Sequence, residues 1–162
     1  MKINDKLSKE LNEQITKEFY SEYLYLAMAV HFEDLNLEGF ANWMYKQATE
    51  EHEHGMKILK YLVERGSSVK IDKIDEPKFD KSSIKGIFEQ ALKHEQFVTK
   101  SIDNLMDIAI ETNDHPTKNF LIWFVDEQVE EESSVEKIIN YLDMIGDKGN
   151  GLFMLDRELS KR

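Results

Sequence analysis

Apolar residues step by three and four along most of this chain, and the stepping resolves into four long segments. From about residue 5 to 33 the stripe runs Leu7, Leu11, Ile15, Tyr25 or Leu26, and Ala29. From about 37 to 65 it runs Phe40, Met44, Ile58, and Tyr61 or Leu62. A third stripe, from about Ser82 to Glu111, carries Ile84, Phe88, Ala91, Val98, Ile102, Leu105 and Ala109, with Ser82 and Ser83 as its cap. The fourth follows the turn-like TNDHPT, with Pro116 near its first position, and carries Phe124, Val135, Ile138, Leu142 and Ile145. Strand signals are scarce, so the expected fold is all-α.

The breaks between these segments are unequal. Segments one and two, and likewise three and four, are separated by only a few residues, which makes each pair an antiparallel hairpin. Between the pairs lies GSSVKIDKIDEPKFDK, residues 66 to 81, with Gly66 as a stop and Pro77 inside. A helix of about 28 residues is roughly 42 Å long, and the linker over 66 to 81, fully extended, spans roughly 53 Å. The linker can therefore run the length of the helices. Short, long, short connections predict a four-helix bundle over about 5–145 with one crossover. After Gly146, Gly149 and Gly151, the stretch LFMLDRELSKR predicts a short fifth helix over about 148–160. The whole of 1–162 reads as one domain.

Composition narrows the class of partner. The net charge of −11 disfavours nucleic acid and anionic membrane surfaces and suits a protein that handles cations. With 0 Cys, neither disulfides nor thiolate metal sites are available, which fits the cytoplasm. MKINDKLSKELNEQ lacks the apolar core of a signal peptide, and no later run approaches a membrane span.

Extending each stripe through its gaps changes the picture. In segment one the steps land on Glu18 and Glu22, and in segment two on Gln47, Glu51 and His54. In segment three they land on Glu95, and in segment four on Gln128 and Glu131. These interruptions fall near mid-helix, so they meet at one level whichever way each helix runs. Lone carboxylates are costly in a core unless paired or bound to metal. Glu18 and Glu51 are 33 residues apart, as are Glu95 and Gln128, so two hairpins face each other across a pseudo-twofold. Carboxylate oxygen with one imidazole and no sulfur suits iron or manganese. Four carboxylates would balance two divalent ions, as in the di-iron pattern of ferritin-like bundles. Only one Glu-x-x-His is present, Glu51 and His54; its counterpart is Gln128-x-x-Glu131.

The stretches LNEQITKEFYSEYLY, EEHEHGMKIL, KHEQFVTKSI and FLIWFVDEQVEEE, and the closing GLFMLDRELS, resemble the bacterial non-haem ferritins over essentially the whole chain. The resemblance implies that Glu18 and His54 hold one iron, Glu95 and Glu131 a second, with Glu51 bridging and Gln128 beside the pair. It implies a third iron site at Glu50, Glu127 and Glu130, and a redox-active tyrosine at Tyr25. It further implies ferroxidase activity on Fe(II) with dioxygen, and storage of ferric mineral inside a homo-oligomeric cage of 24 subunits. The bacterioferritin branch carries a second Glu-x-x-His, and a haem-ligating Met where this chain has His52, so haem is not expected. The alternative is a di-iron peroxidase or oxygenase relative that stores nothing.

The other charged and aromatic residues have plainer expectations. Glu53, Glu132 and Glu136 read as solvated helix faces. Trp43, Trp123 and the methionines read as core, and His115 as part of a turn. Glu22 and Gln47 are positioned to orient ligands by hydrogen bonds. His94 and His115 have no partner pattern, and His52 has no assigned role.

Overall fold

The computed structural model describes residues 2–162 and contains five helices: α1 (Asp5–Asp34), α2 (Glu38–Glu64), α3 (Ile84–Glu111), α4 (His115–Ile145) and α5 (Gly149–Leu159). Local chemistry accounts for the starts. Asn4 accepts from the Lys6 and Leu7 amides, Ser83 from the Gly86 amide, and Asp114 from the Thr117 amide, each satisfying donors that a helix cannot satisfy itself. The fourth helix begins at His115, inside the stretch expected to be turn, because Asp114 caps it and Pro116 fits a first turn. The hairpin turns place Asn36 and Asn113 at positive φ, a conformation asparagine tolerates.

The crossover, residues 65–83, runs the length of α1 as its span allows. Near one end of α1, Asn12 bonds the Ser68 carbonyl and the Lys70 amide; near the other, the His31 ring lies 6.0 Å from Phe79. Gln90 then bonds Asp80 through both its amide atoms. No described helix is long and apolar enough to cross a membrane.

The core is divided. One apolar cluster gathers Met28, Phe32, Phe40, Met44, Phe88, Val135 and Leu142, with Leu155 of α5 joining it. The other gathers Leu7, Leu11, Ile15, Ile58, Leu62, Val98, Ile102 and Phe124. Between them lies a buried polar layer made by all four long helices. α5 docks on the start of α2, where Gly39 has no side chain to hold it off: a Cβ there would lie 1.6 Å from the Asp156 carbonyl oxygen. Asp156 then accepts from the Phe40 amide at 3.0 Å.

Trp123 is not core. It is 38% exposed and sets its ring edge-on against His54, 5.4 Å between centroids. Met144 and Met154 are also exposed, on the outer faces of α4 and α5.

Candidate metal centre

The polar layer holds Gln14, Glu18 and Ser21 from α1, Gln47, Glu51 and His54 from α2, Glu95 from α3, and Gln128 and Glu131 from α4, all buried. Spacings of three and four keep these side chains on the inward stripe of each helix. His54 Nδ1 lies 3.5 Å from Glu51 Oε2 and 3.9 Å from Glu18 Oε2. Ligand atoms of Glu18, Glu51 and His54 fall within 4.8 Å of one another, and so do those of Glu51, Glu95 and Glu131. Glu51 belongs to both trios. A third grouping joins His54, Glu127 and Glu131, with Glu127 3.8 Å from His54 Nε2.

Three buried oxygens in this layer have no hydrogen-bond partner: Glu18 Oε2, Glu51 Oε1 and Glu131 Oε1. A buried carboxylate oxygen left unpaired is costly, and cations held by the two trios would relieve them. Electrostatics argue the same way. Burial, then the charges of Glu95, Glu18 and Glu131, push the Glu51 carboxyl well above the usual carboxylate range. Burial, then Glu95, pushes Glu131 up to about 8, against the opposing hydrogen bond from Gln47. Burial raises Glu95 to about 7, although hydrogen bonds from Tyr25 and Gln128 pull it down. Protons or cations must offset this crowding, and divalent ions can replace the protons.

The carboxylates are held from outside by neutral donors. Gln14 donates to Glu18 Oε1 at 2.8 Å and accepts from Ser101 at 2.6 Å, and Ser101 in turn accepts from Lys17 at 2.7 Å. Gln47 donates to Glu131 Oε2. Tyr25 donates to Glu95 Oε1, and burial followed by the charge of Glu95 keeps its phenol well above the ordinary value, hence protonated. Gln128 Nε2 donates to Glu95 Oε2 and to Thr99, each at 3.2 Å.

The carboxylates that interrupt the apolar stripes do meet at one level, and some of their hydrogen-bond support has no mark in the stripes. Gln14 carries a usable signal, since it precedes Glu18 by four residues as Gln47 precedes Glu51. Arg162, which reaches Gln47 and Glu50 from beyond α5, carries none. Glu22 does not orient a ligand: it points outward and pairs with His52 at 3.1 Å, which also gives His52 a partner. Glu132 is half-buried and accepts from Thr99 at 2.5 Å rather than lying free on a solvated face. His94 sits beside Ser21 at 2.6 Å, and burial lowers it to about 4, so it is neutral. His115 is exposed in the first turn of α4. Of the three acids expected to form a neighbouring site, Glu50 pairs with Arg162, Glu127 faces His54, and Glu130 is exposed.

Residues 8–145 match the ferritin-like domain family. The chain belongs to the ferritin family. Its relatives include the bacterial non-heme ferritin of Staphylococcus aureus strain USA300, 42% identical over 160 residues that cover 99% of this chain and 96% of that one. The bacterial non-heme ferritin of Staphylococcus saprophyticus is 45% identical over the same shares. Among solved structures, the open-pore ferritin of the hyperthermophilic archaeon Archaeoglobus fulgidus superposes with a TM-score of 0.96, at 44% identity and 99% coverage of both chains. The ferritin bundle of this chain meets the demands of a hard divalent metal, with oxygen donors, one imidazole and no thiolate.

Proposed function

We propose that this chain stores iron and oxidises it on the way in, acting as a ferroxidase on Fe(II) with dioxygen as electron acceptor. The carrying observation is Glu51, shared by two trios of ligand atoms with its Oε1 unpaired. In this reading Glu18 and His54 hold one Fe(II), Glu95 and Glu131 hold the second, and Glu51 bridges them. Two Fe(II) give up one electron each and reduce one dioxygen to hydrogen peroxide with two protons from solvent, and the ferric product hydrolyses, returning protons to solvent, and leaves the centre for storage.

The protein supplies position and charge. Four carboxylates neutralise two divalent ions, and the glutamine and tyrosine donors fix which oxygens face inward. Gln128 stands beside the pair, and Tyr25 is a phenol in hydrogen-bond contact with Glu95, placed to pass a proton or an electron. Glu50, Glu127 and Glu130 form a third iron site on the outward side of His54 and Glu131. No haem takes part.

Storage requires an enclosure, and the reading includes a homo-oligomeric cage of 24 subunits in the cytoplasm. Exposed apolar side chains on α4 and α5, among them Val129, Met144, Phe153 and Met154, suit burial against other copies. Anaerobic loading with Fe(II), then air, tests the proposal on wild type and Glu51→Ala, with sizing and iron counting. Wild type should form a large particle that retains many irons per subunit, and Glu51→Ala should oxidise Fe(II) at least tenfold more slowly. Equal oxidation and retention by the variant would overturn the centre. A small oligomer that oxidises but keeps no iron would favour the non-storage di-iron relative.

A further inference from the structure

Arg162 follows α5 and lies over α2, its guanidinium 4.7 Å from the Trp43 ring centroid. It donates to Gln47 Oε1 at 2.7 Å, to Glu50 Oε2 at 2.6 Å and to the Trp43 carbonyl at 3.3 Å. Gln47 is fully buried and passes the contact inward, its Nε2 donating to Glu131 Oε2. The other oxygen, Glu131 Oε1, is buried with no partner. A side-chain amide has one accepting end and one donating end. With the guanidinium holding the accepting end, Gln47 presents its donor to Glu131; turned over, it would set oxygen against oxygen once Glu131 is ionised, the form a cation requires.

We infer that Arg162 is a positioning residue of the dinuclear centre, selecting through Gln47 which Glu131 oxygen faces the cations and tying that choice to the occupancy of Glu50. This rests on the dinuclear reading above. A cation that binds Glu50 competes with Arg162 for the same carboxylate, and once the guanidinium leaves, no other described residue on that side bonds the Gln47 amide. Ions at Glu50 and the setting of Glu131 are therefore linked. The opposite side of the layer has a relay of the same design, Lys17 to Ser101 to Gln14 to Glu18, but no carboxylate outside the two trios branches from it. The two trios thus differ in one respect: only the one containing Glu131 is joined to Glu50 through an amide relay, whereas His54 of the other faces Glu127 directly.

Anaerobic cobalt(II) titration of the iron-free protein, followed by visible absorption and calorimetry, provides the test without turnover. Wild type should bind two Co(II) in the buried layer. Arg162→Ala should weaken one of them by about tenfold, the lower end of the range for losing an orienting partner. Arg162→Lys should recover part of that loss, because the bonds to Gln47 and Glu50 both leave one nitrogen, Nη2, and an ammonium carries three donors. Gln47→Met should cost as much as Arg162→Ala, and the double variant no more than Gln47→Met alone, since both act on one path. Hydrogen exchange over residues 149–159 reports whether α5 stays docked. Unchanged Co(II) affinity in Arg162→Ala, or losses that add in the double variant, would overturn the inference while leaving the dinuclear centre standing. Wild type that fails to bind two ions would overturn the centre itself.

Discussion

Gln14 donates its side-chain amide to Glu18 Oε1 at 2.8 Å, and Glu18 Oε2 is left buried without a partner. The amide thus decides which oxygen is free to meet a cation. Gln14→Leu removes that decision at nearly constant volume and also strips Ser101 of its acceptor. Affinity for the first Co(II) should fall by about tenfold, with the second little affected. Calorimetric titration of the iron-free variant checks both numbers, and equal weakening at both sites would count against separate relays.

The raised carboxyls make a signed prediction about pH. An unfolded glutamate loses its proton near pH 4.3, whereas Glu131 holds its proton up to about 8 and Glu95 up to about 7. Between those limits the folded chain binds more protons than the unfolded one. Their contribution is complete below about 4.3 and is lost as pH rises through the folded values. Iron-free Glu131→Gln should therefore be more stable than wild type at pH 8, with the gap closing toward pH 5. Urea midpoints at three pH values measure it, and a gap independent of pH would contradict the assignment.

Cation binding should run against the same protons. Loading iron-free protein with Co(II) near pH 7 should release protons into weakly buffered solution, and affinity should decline as pH falls below the raised values. A titration that is flat between pH 5.5 and 7.5 would show that the layer is already ionised.

Tyr25→Phe leaves a buried Glu95 oxygen without its donor. The cost should be about 1–3 kcal/mol of stability in the iron-free protein, read from denaturant unfolding. A cation on Glu95 would recover part of it, so the difference from wild type should shrink on Co(II) addition.

Gly39→Ala tests how α5 is held. Its new methyl would meet backbone rather than a movable side chain, so α5 must shift. Exchange protection over residues 149–159 should drop, with overall destabilisation of about 1–3 kcal/mol. Through Arg162, Co(II) affinity should fall as well.

The sequence alone determined the bundle, because apolar spacing dictates which face of each helix is buried, and the unequal connections leave one economical topology. The same spacing exposed Glu18, Glu51, His54, Glu95, Gln128 and Glu131, since a charge on a buried stripe conflicts with its surroundings and stands out against them. Periodicity could not say which oxygen of each carboxylate is satisfied, for that depends on donors that arrive from other helices. Gln14 lies on the same helix as Glu18, yet its amide is aligned by Ser101 of α3. Arg162 follows a short helix whose docking depends on Gly39 and Asp156, more than a hundred residues apart. Glu22, on the stripe by count, turns out to His52 because the inward stripe of a long helix drifts around its axis. Tertiary packing decided these points, since hydrogen-bond direction is set by three-dimensional approach and leaves no period along the chain.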